Sequence, residues 1–288
     1  MLNPVISVII VVYNAHETLE ATLKSVLSQR YAHIEVVLID GGSTDGTLAI
    51  VEKYKNQLGY FTSEKDAGIY DAMNKGINAA KGEWLYFLGS DDVLFNTEVF
   101  STIFERTDIA QADFIYGDVM LKSNNQLFGG SRTFFSLIEK NINHQAIFYR
   151  RDLFGKTGNY NLKYKVLADY DLNLRMFENE TFLKKYIAIP ICLFNDKGGA
   201  SNITIDSSFF ADKLSQFSGS TQLGVSKASL QQYYFYTGFA MMIRDKKAKG
   251  LRYCLQAFAA GKRRFFYLLV FVKLLLGYMG FGKKIKIV

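Results

Sequence analysis

Acidic and small polar residues follow three of the apolar segments in the first third of the sequence. Tyr13-Asn14 ends the first segment, Asp40-Gly-Gly-Ser-Thr-Asp45-Gly ends the second, and Gly-Ser-Asp91-Asp92 ends a later one. Adjacent carboxylates suit a hard divalent cation, Mn²⁺ or Mg²⁺, which is commonly held by one or two carboxylates together with substrate phosphates. Such a cation would stabilise a diphosphate leaving group, whereas Asp40 could instead accept hydrogen bonds from a base or a ribose.

The same segments also have a purely structural interpretation. Ser, Thr and Asp are common helix caps, so both acidic segments could be turns that start a helix. The functional interpretation depends on finding acidic residues at equivalent strand ends. The carboxyl ends of parallel strands share one edge of a sheet, and ligands bind there in open α/β folds. We therefore expect Asp40, Asp45, Asp91 and Asp92 to converge.

The apolar pattern predicts the elements that would position these residues. Up to about residue 110, strands alternate with helices, which predicts an α/β fold with a mostly parallel central sheet flanked by helices. The predicted strands are Ile6–Val12, Ile34–Ile39, Leu58–Phe61 and Trp84–Leu88, and the predicted helices are Glu17–Ser28, Thr47–Tyr54, Ile69–Ala80 and Asn96–Thr107.

Beyond residue 110 the alternation stops and a helical C-terminal region follows. The expected elements are a hairpin of Asp113–Leu121 and Gln126–Phe128, strands Ala146–Tyr149 and Lys184–Ile189, a helix Asp169–Phe177, a loop Asn195–Ser208, and helices Phe209–Phe217, Leu230–Arg244, Leu251–Ala260 and Phe265–Leu276. We predict a catalytic domain over 1–208, with a nucleotide-binding half to about 110 and an acceptor half over 111–208. A helical region over 209–288 completes the chain.

The net charge is divided unevenly along the chain. The 288 residues carry 34 Lys and Arg and 27 Asp and Glu, a net charge of +7. From Met241 onward there are 12 basic residues and one acid, Asp245, so the local balance is +11 and the rest of the chain has −4. This distribution argues against nucleic acid as a partner, because the basic residues are interleaved with apolar ones near the C-terminus instead of covering the body.

Several classes of site are excluded by the sequence. The first strand-to-helix turn, Tyr-Asn-Ala-His-Glu-Thr, lacks the Gly-rich dinucleotide fingerprint, and there is no Walker A sequence. Cys192 and Cys254 have no metal-ligand spacing, and we expect two buried free thiols, which fits a reducing compartment. The apolar N-terminal run lacks a basic region and a cleavage site, so it is predicted to be a buried strand.

The ordered motifs resemble those of the family 2 glycosyltransferases, which have the GT-A fold and use nucleotide-diphosphate sugars. The matching segments are Ser7-Val-Ile-Ile-Val-Val-Tyr-Asn14, Ile39-Asp-Gly-Gly-Ser-Thr-Asp-Gly-Thr47 and Phe87-Leu-Gly-Ser-Asp-Asp92. The segment Glu64–Gly76 is similar to that of the subgroup that builds colanic acid and other bacterial exopolysaccharides. The resemblance covers residue 5 to about 200.

The resemblance implies roles for individual residues. Nucleotide-sugar contacts are implied for Tyr13, Asn14, Asp40, Ser43, Asp45, Asp66, Asn74, Asp91 and His144. Asp91 and Asp92 occupy the place of the family's D-x-D motif, so they are the implied ligands of Mn²⁺ or Mg²⁺, although Ser90 replaces the first acid. The donor is expected to be a UDP-sugar, because uracil is the common base in this family. Gly198–Ser201 resembles the flexible loop over the donor.

The resemblance also implies a catalytic base at the start of a helix. Ala168-Asp-Tyr-Asp-Leu172 is similar to the segment in which inverting members carry Glu-Asp, and Asp169 aligns with the second acid. A base must lie within hydrogen-bond reach of the acceptor hydroxyl. Asp169 is the preferred candidate and Asp171 the second. Alternatively, both only cap the helix.

The C-terminal region has the composition of a membrane-surface segment. Phe265–Phe281 is apolar apart from Lys273 and has basic residues on both sides, at 262–264 and 283–286. A spanning helix needs about 20 apolar residues, so shallow insertion among anionic headgroups fits better than a span. A core or dimer helix is the alternative. The expected location is cytoplasmic, on the inner face of the plasma membrane.

The resulting prediction is an inverting sugar transferase that extends a saccharide or polyprenol-linked acceptor in exopolysaccharide, capsule or O-antigen synthesis. The alternatives are a nucleotidyltransferase of the same fold and a membrane-bound scaffold without catalysis. A nucleotidyltransferase would be expected to carry a Gly-rich, basic N-terminal signature, which this sequence lacks.

Overall fold

The central strand of the fold, β1 (Ile6–Val12), forms at a β-branched run, and all seven of its residues are buried. The computed structural model of the chain describes residues 5–197, 206–219, 226–243, 247–260, 267–269 and 271–272. Its other strands are β2 (Ile34–Asp40), β3 (Tyr60–Ser63), β4 (Trp84–Gly89), β5 (Val93–Leu94), β6 (Phe114–Leu121), β7 (Leu127–Phe128), β8 (Ile147–Arg150) and β9 (Lys184–Phe194).

Ten α-helices lie within the described residues. They are α1 (Leu19–Leu27), α2 (Thr47–Tyr54), α3 (Ile69–Ala79), α4 (Val99–Phe104), α5 (Phe134–Glu139), α6 (Asp152–Thr157), α7 (Ala168–Glu178), α8 (Ser207–Gly219), α9 (Lys227–Ile243) and α10 (Lys247–Ala260). Short 3-10 turns occur at Lys55–Gln57, Thr107–Ile109 and His144–Ala146.

The strands form one sheet in the order β3-β2-β1-β4-β8-β6-β9-β5, and β7 pairs with β6. The first four strands in this order are mutually parallel. β8 is antiparallel to both of its neighbours, which is where the sequence loses its regular alternation. The predicted α/β fold with helices flanking the sheet is therefore confirmed.

Both faces of β1 are covered, as its continuous apolar run predicts. Ile6, Val8, Ile10 and Val12 pack in the main core with residues of α1 and α4. The opposite face of the strand lies against α3, where Gly76 is in close contact with Ile9. A Cβ at Gly76 would lie 2.4 Å from Ile9 Cγ2, so this helix approaches the sheet closely because it has no side chain there.

Some predicted boundaries differ from the structure for local reasons. β9 continues to Phe194, beyond the predicted end, because Pro190 lies at an irregularity in the pairing with β6, where a missing N–H is tolerated. The helix predicted over Asn96–Thr107 is confined to α4, because the Asn96 side chain accepts the N–H of Glu98 (2.8 Å) in a turn. The short elements β5, α5 and α6 were not predicted.

The chain packs into two compact units built from interleaved segments. The sheet unit comprises Met1–Thr133, Ile142–Leu162 and Leu172–Lys197, and the helical unit comprises Phe134–Asn141, Lys163–Asp171 and Gly198–Val288. The first turn of α7 therefore belongs to the helical unit and the rest of α7 to the sheet unit. The functional division near residue 208 stays a prediction.

The helical unit has an aromatic core of its own. Phe235, Phe239, Cys254, Ala257 and Tyr267 form a buried cluster. Helices α9 and α10 cross closely at two glycines, since a Cβ on Gly238 would lie 2.7 Å from the carbonyl oxygen of Gly250. Cys192, in the sheet unit, and Cys254 are buried free thiols, as predicted.

Two predicted C-terminal features fall largely outside the described residues. These are the Gly198–Ser201 loop and most of Phe265–Phe281, together with the basic residues on either side of that segment. Of the helices that the structure describes, none combines the length and the apolar character needed to cross a membrane.

Candidate functional site at the carboxyl edge of the sheet

The carboxyl ends of β1, β2 and β4 lie side by side. Val12 pairs with Asp40 at the end of β2, and Val11 pairs with Gly89 at the end of β4. Asp40 also pairs with Ser63, the last residue of β3. The register therefore brings the polar segments that follow these strands to one edge, as parallel pairing predicts.

The carboxylate of Asp40 is fully buried and fixes the turn after β2. Its Oδ2 accepts hydrogen bonds from the backbone N–H groups of Gly42 (3.1 Å) and Ser43 (2.9 Å) and from Oγ of Ser63 (2.6 Å). Its Oδ1 accepts from Oγ of Ser43 (2.5 Å). Asp40 and Ser43 therefore shape the loop that follows β2, and their contacts with a nucleotide stay a prediction.

Asn14 joins the end of β1 to the same loop. Its backbone N–H donates to Oγ of Ser43 (2.8 Å), and its Oδ1 accepts from the N–H of Thr44 (2.8 Å). Asn14 has a φ of 49°, a left-handed conformation that Asn adopts more readily than most residues. This geometry turns the chain sharply after β1.

Tyr13, Gly41 and Asp66 lie close together at this edge. The side chain of Tyr13 is 63% exposed. A Cβ on Gly41 would lie 2.5 Å from Oδ2 of Asp66 and 3.5 Å from a ring carbon of Tyr13. A larger residue at position 41 would therefore displace the carboxylate of Asp66, and its Cβ would touch the exposed ring of Tyr13.

Asp45 fixes the turn that leads into the helix that follows. Its Oδ1 accepts from the N–H of Thr47 (2.9 Å), the first residue of α2, and its Oδ2 bonds to the backbone N–H (3.2 Å) and ring Nδ1 (2.9 Å) of His16. Hydrogen bonds from Thr47, and secondarily from His16, hold the pKa of Asp45 well below its usual range. The structural alternative for this residue thus has direct support.

Asn74, on α3, forms hydrogen bonds with the backbone of Tyr160. Its Nδ2 donates to the carbonyl oxygen of Tyr160 (3.0 Å), and its Oδ1 accepts from the N–H of Tyr160 (3.0 Å). Nearby, Asp66 Oδ1 accepts from the N–H of Gly68 (2.9 Å). Asn74 therefore ties α3 to the segment around Tyr160, while Asp66 stays at the edge.

The adjacent carboxylates of Asp91 and Asp92 fold back onto the end of β4. A Cβ on Gly89 would lie 2.6 Å from Oδ2 of Asp92 and 3.2 Å from Oδ1 of Asp91. Asn195 contacts both carboxylates, because its N–H donates to Oδ1 of Asp92 (2.6 Å) and its Nδ2 donates to Oδ2 of Asp91 (2.8 Å). In addition, Nζ of Lys122 donates to the carbonyl oxygen of Asp91 (2.6 Å).

Asp92 is a buried acid next to a like charge. It is 1% exposed. Burial, and then the charge of Asp91, raises the pKa of Asp92 to about 6, while hydrogen bonds from Asn195 and Gln145 oppose the shift. Like charges this close disfavour joint ionisation, so the pair would be relieved by a cation.

The His144-Gln145 pair lies next to Asp92. Nε2 of Gln145 donates to Oδ2 of Asp92 (2.8 Å), and the charge of His144 lowers the pKa of Asp92. Gln145 is 5% exposed, and its Oε1 is buried without a hydrogen-bond partner in the part of the chain that the structure describes. A buried acceptor of this kind costs free energy unless a ligand satisfies it.

The two candidate bases in the helical unit differ in their surroundings. Asp171 is 3% exposed, and its Oδ1 lies 2.6 Å from Nζ of Lys213, which is itself buried. Asp169 is 8% exposed, and its Oδ2 accepts from Nδ2 of Asn141 (3.2 Å). Because Lys213 already neutralises Asp171, Asp169 is the better candidate for a proton acceptor.

A family model described as glycosyl transferase family 2 matches residues 7–180, more than half of the chain. The chain belongs to glycosyl transferase family 2. The predicted family and the predicted glycosyltransferase activity are therefore confirmed. The acidic strand ends of the glycosyltransferase lie within the matched residues, as do Asp169 and Asp171, whereas Asn195 lies beyond them.

Relatives and solved structures agree with the family. The chain is 40% identical over 230 residues, 78% of this chain and 88% of the relative, to a "PGL/p-HBAD biosynthesis glycosyltransferase" of Mycobacterium tuberculosis. Its fold is similar to TarS of S. aureus in complex with UDP-GlcNAc, with a TM-score of 0.65, 18% identity, and 90% and 82% of the two chains covered. It is also similar to the mannosyltransferase PcManGT of Pyrobaculum calidifontis in complex with GDP-Man and Mn²⁺ (TM-score 0.54, 17% identity, 98% and 83% covered).

The residues of the glycosyltransferase fit a divalent cation at Asp91 and Asp92. Two carboxylate oxygens converge on Gly89, and the buried Oε1 of Gln145 lies on the amide that contacts Asp92. These are hard oxygen donors, which Mn²⁺ and Mg²⁺ prefer. The described residues contain no group of three His, Cys, Asp or Glu that could hold a metal.

Sequence reasoning missed two residues that contact the candidate acids, one in each unit. Asn195 comes from the end of β9 and contacts both acids, and Lys213 neutralises Asp171 from α8. Neither residue lies in a recognisable motif, because both act through tertiary contacts. One feature of the sequence indicated Gln145, namely its position next to His144.

Proposed function

We propose that this glycosyltransferase moves a sugar from a UDP-sugar to a hydroxyl of a saccharide or polyprenol-linked acceptor with inversion at the anomeric carbon. The observation that carries the proposal is the Asp91–Asp92 pair beside Gly89, in which a buried acid lies next to a like charge at the ligand-binding edge. A nucleotide-sugar donor is supported by the nucleotide complexes of similar folds.

The residues of the sheet unit would hold the donor. The exposed ring of Tyr13 offers a stacking surface for a base, and the turn held by Asp40 and Ser43 shapes the adjoining loop. Asp91 and Asp92 would hold Mn²⁺ or Mg²⁺, which supplies positive charge to a diphosphate leaving group. Asn195 and Gln145 keep the two carboxylates in place through their hydrogen bonds.

Asp169 would act as the base of a single displacement. Its carboxylate accepts the proton of the acceptor hydroxyl, and the resulting oxygen attacks the anomeric carbon from the face opposite the diphosphate. The bond from that carbon to the diphosphate oxygen breaks, and the nucleoside diphosphate leaves with the electron pair. One step with attack from the opposite face inverts the configuration.

The basic C-terminal region supports the proposed acceptor and location. Its balance of +11 from Met241 onward suits an anionic membrane surface, so we place the enzyme at the cytoplasmic inner face of the plasma membrane. The proposed role is the synthesis of exopolysaccharide, capsule or O-antigen, as in the colanic acid subgroup that the Glu64–Gly76 segment resembles.

A screen of purified protein against nucleotide sugars tests the proposal. We expect nucleotide release from one UDP-sugar in the presence of Mn²⁺ or Mg²⁺ and an acceptor. Asp169→Asn is expected to abolish transfer while UDP affinity is retained, and Asp171→Asn serves as the comparison. Full transfer by Asp169→Asn would remove this residue from the role, and the absence of turnover with every donor would favour the non-catalytic scaffold.

A further inference from the structure

An outward-facing strip of α10 combines leucines with basic residues. Leu251 and Leu255 are 47% and 56% exposed, and Ala248, Arg252 and Ala259 are exposed with them. Spacings of three, four and seven residues put these side chains on one face of a helix. We call Ala248, Leu251, Arg252, Leu255 and Ala259 the α10 face.

The opposite side of α10 is committed to the core of the helical unit. Gly250, Cys254 and Ala257 are buried, and the carbonyl oxygen of Ala257 accepts a hydrogen bond from Nε2 of Gln231 on α9 (2.8 Å). The packing therefore fixes which side of the helix faces outward. The two leucines are exposed as a consequence of this orientation and not because the helix is unattached.

A second exposed apolar group follows in the same unit. Tyr267 is 3% exposed, and its ring centroid lies 5.0 Å from that of Phe235, so residues 267–269 are anchored to the core. Leu268, Leu269 and Val272 are 47%, 46% and 44% exposed. The helical unit therefore presents several large apolar side chains to its surroundings.

The charge of α10 identifies the kind of partner. The helix Lys247–Ala260 contains three basic residues and no acid, and Lys249 and Arg252 are exposed beside the leucines. A second copy of the chain docking through the same face would oppose these like charges. Leucines flanked by Lys and Arg instead match a bilayer interface with anionic headgroups.

We propose that the α10 face is a membrane-docking surface that inserts Leu251 and Leu255 among the acyl chains of an anionic lipid bilayer while Lys249 and Arg252 contact the headgroups. The proposal differs from an anchor formed by Phe265–Phe281, because it assigns binding to a helix that packs on α9. It rests on the proposed lipid-linked acceptor for its purpose, since docking would bring the enzyme to the surface where that acceptor lies.

Flotation of the full chain with vesicles tests the surface. We expect wild-type protein to bind vesicles of phosphatidylcholine mixed with phosphatidylglycerol and not vesicles of phosphatidylcholine alone. Leu251→Ser with Leu255→Ser is expected to weaken binding more than tenfold. The matched control is Leu127→Ser with Leu183→Ser, two leucines that are 58% and 52% exposed in the sheet unit, and it is expected to bind as wild type does.

A charge variant and an activity readout complete the test. Lys249→Gln with Arg252→Gln is expected to lose binding without loss of fold, as checked by thermal melting. Turnover with a water-soluble acceptor should stay at the wild-type level in both docking variants, so a failure of docking is separable from a failure of the proposed activity. Flotation of either variant at the wild-type level would overturn the proposal. It would also be overturned if the variants lost self-association and kept their binding to vesicles.

Discussion

Asp92 in the sheet unit and Asp171 in the helical unit are both buried, but within the part of the chain that the structure describes only Asp171 forms an ion pair. Asp171 is paired with Lys213 at 2.6 Å. The charge that acts most strongly on Asp92 is that of another acid, Asp91. The fold therefore pairs one buried carboxylate with a lysine and places the other beside a second acid, which is the basis for proposing a structural role for Asp171 and a functional role for Asp92.

The largest expected effect comes from removing the charge of Asp92. Asp92→Asn should lower transfer about 10³-fold or more, because a few kcal/mol of leaving-group stabilisation is lost. Its melting temperature should change little, since one hydrogen bond is lost while repulsion with Asp91 is relieved. Nucleotide release and thermal melting measure the two effects, with the exposed Glu52→Gln as control. Turnover at the wild-type level would show that Asp92 has no functional role.

Removal of Lys213 should affect stability instead. Lys213→Met removes the buried cation that lies 2.6 Å from the carboxylate of Asp171, so the free energy of unfolding should fall by about 3–5 kcal/mol, as measured by urea denaturation. Adding Asp171→Asn should recover much of this loss. The control is Lys163→Met, which breaks an exposed ion pair with Asp212 and should cost less than about 1 kcal/mol. Equal losses in the two variants would show that burial does not matter here.

Protons should compete with a cation at Asp92. Because burial and Asp91 raise the pKa of Asp92 to about 6, Mn²⁺ affinity should be constant above this pH and fall about tenfold per pH unit below it. For the stability of the metal-free protein, the dependence on pH has the opposite direction. The folded state binds the proton more tightly than the unfolded state, so this contribution is present at low pH and is lost as pH rises through about 6.

Titration calorimetry with Mn²⁺ and urea unfolding, each done on both sides of pH 6, measure these trends. Asp92→Asn should remove the stability trend. If Asp92 made the metal-free protein more stable as the pH rises over this range, the predicted direction would be wrong.

The smallest effect concerns the amide beside Asp92. Gln145→Ala removes the donor to Oδ2 of Asp92 and the buried Oε1, so Mn²⁺ affinity should fall about 10- to 100-fold, as for other residues that orient metal ligands. Calorimetry with Mn²⁺ measures the change, and Gln57→Ala, an exposed glutamine, is the control. Unchanged affinity would make Gln145 a packing residue only.

The sheet unit was more predictable from sequence than the helical unit. The β-branched run of β1 and the polar strand ends follow from local pattern, because a parallel sheet buried on both faces requires apolar strands. In the helical unit, α5 and the first turn of α7 pack with helices that come much later in the chain. Sequence periodicity contains no information on such long-range assembly.

The site was predictable in part for the same reason. Asp91 and Asp92 are adjacent in the sequence, so their pairing needed no structure. Asn195 contacts them from the far end of β9, where nothing in its neighbours marks it. Asp45 could have a structural role or bind a ligand on sequence grounds, and its bonds to Thr47 and His16 support a structural role in the turn before α2.

The sequence by itself determined the family, the α/β alternation and the acidic strand ends, because these depend on residue type and short spacings. Only the tertiary structure decided the burial and the charged neighbours of each acid. It buried Asp171 against Lys213 and Asp92 against Asp91, and it turned Leu251 and Leu255 outward from α10. The physical reason is that the charge state and exposure of a side chain depend on what surrounds it in space, and those neighbours come from distant parts of the chain.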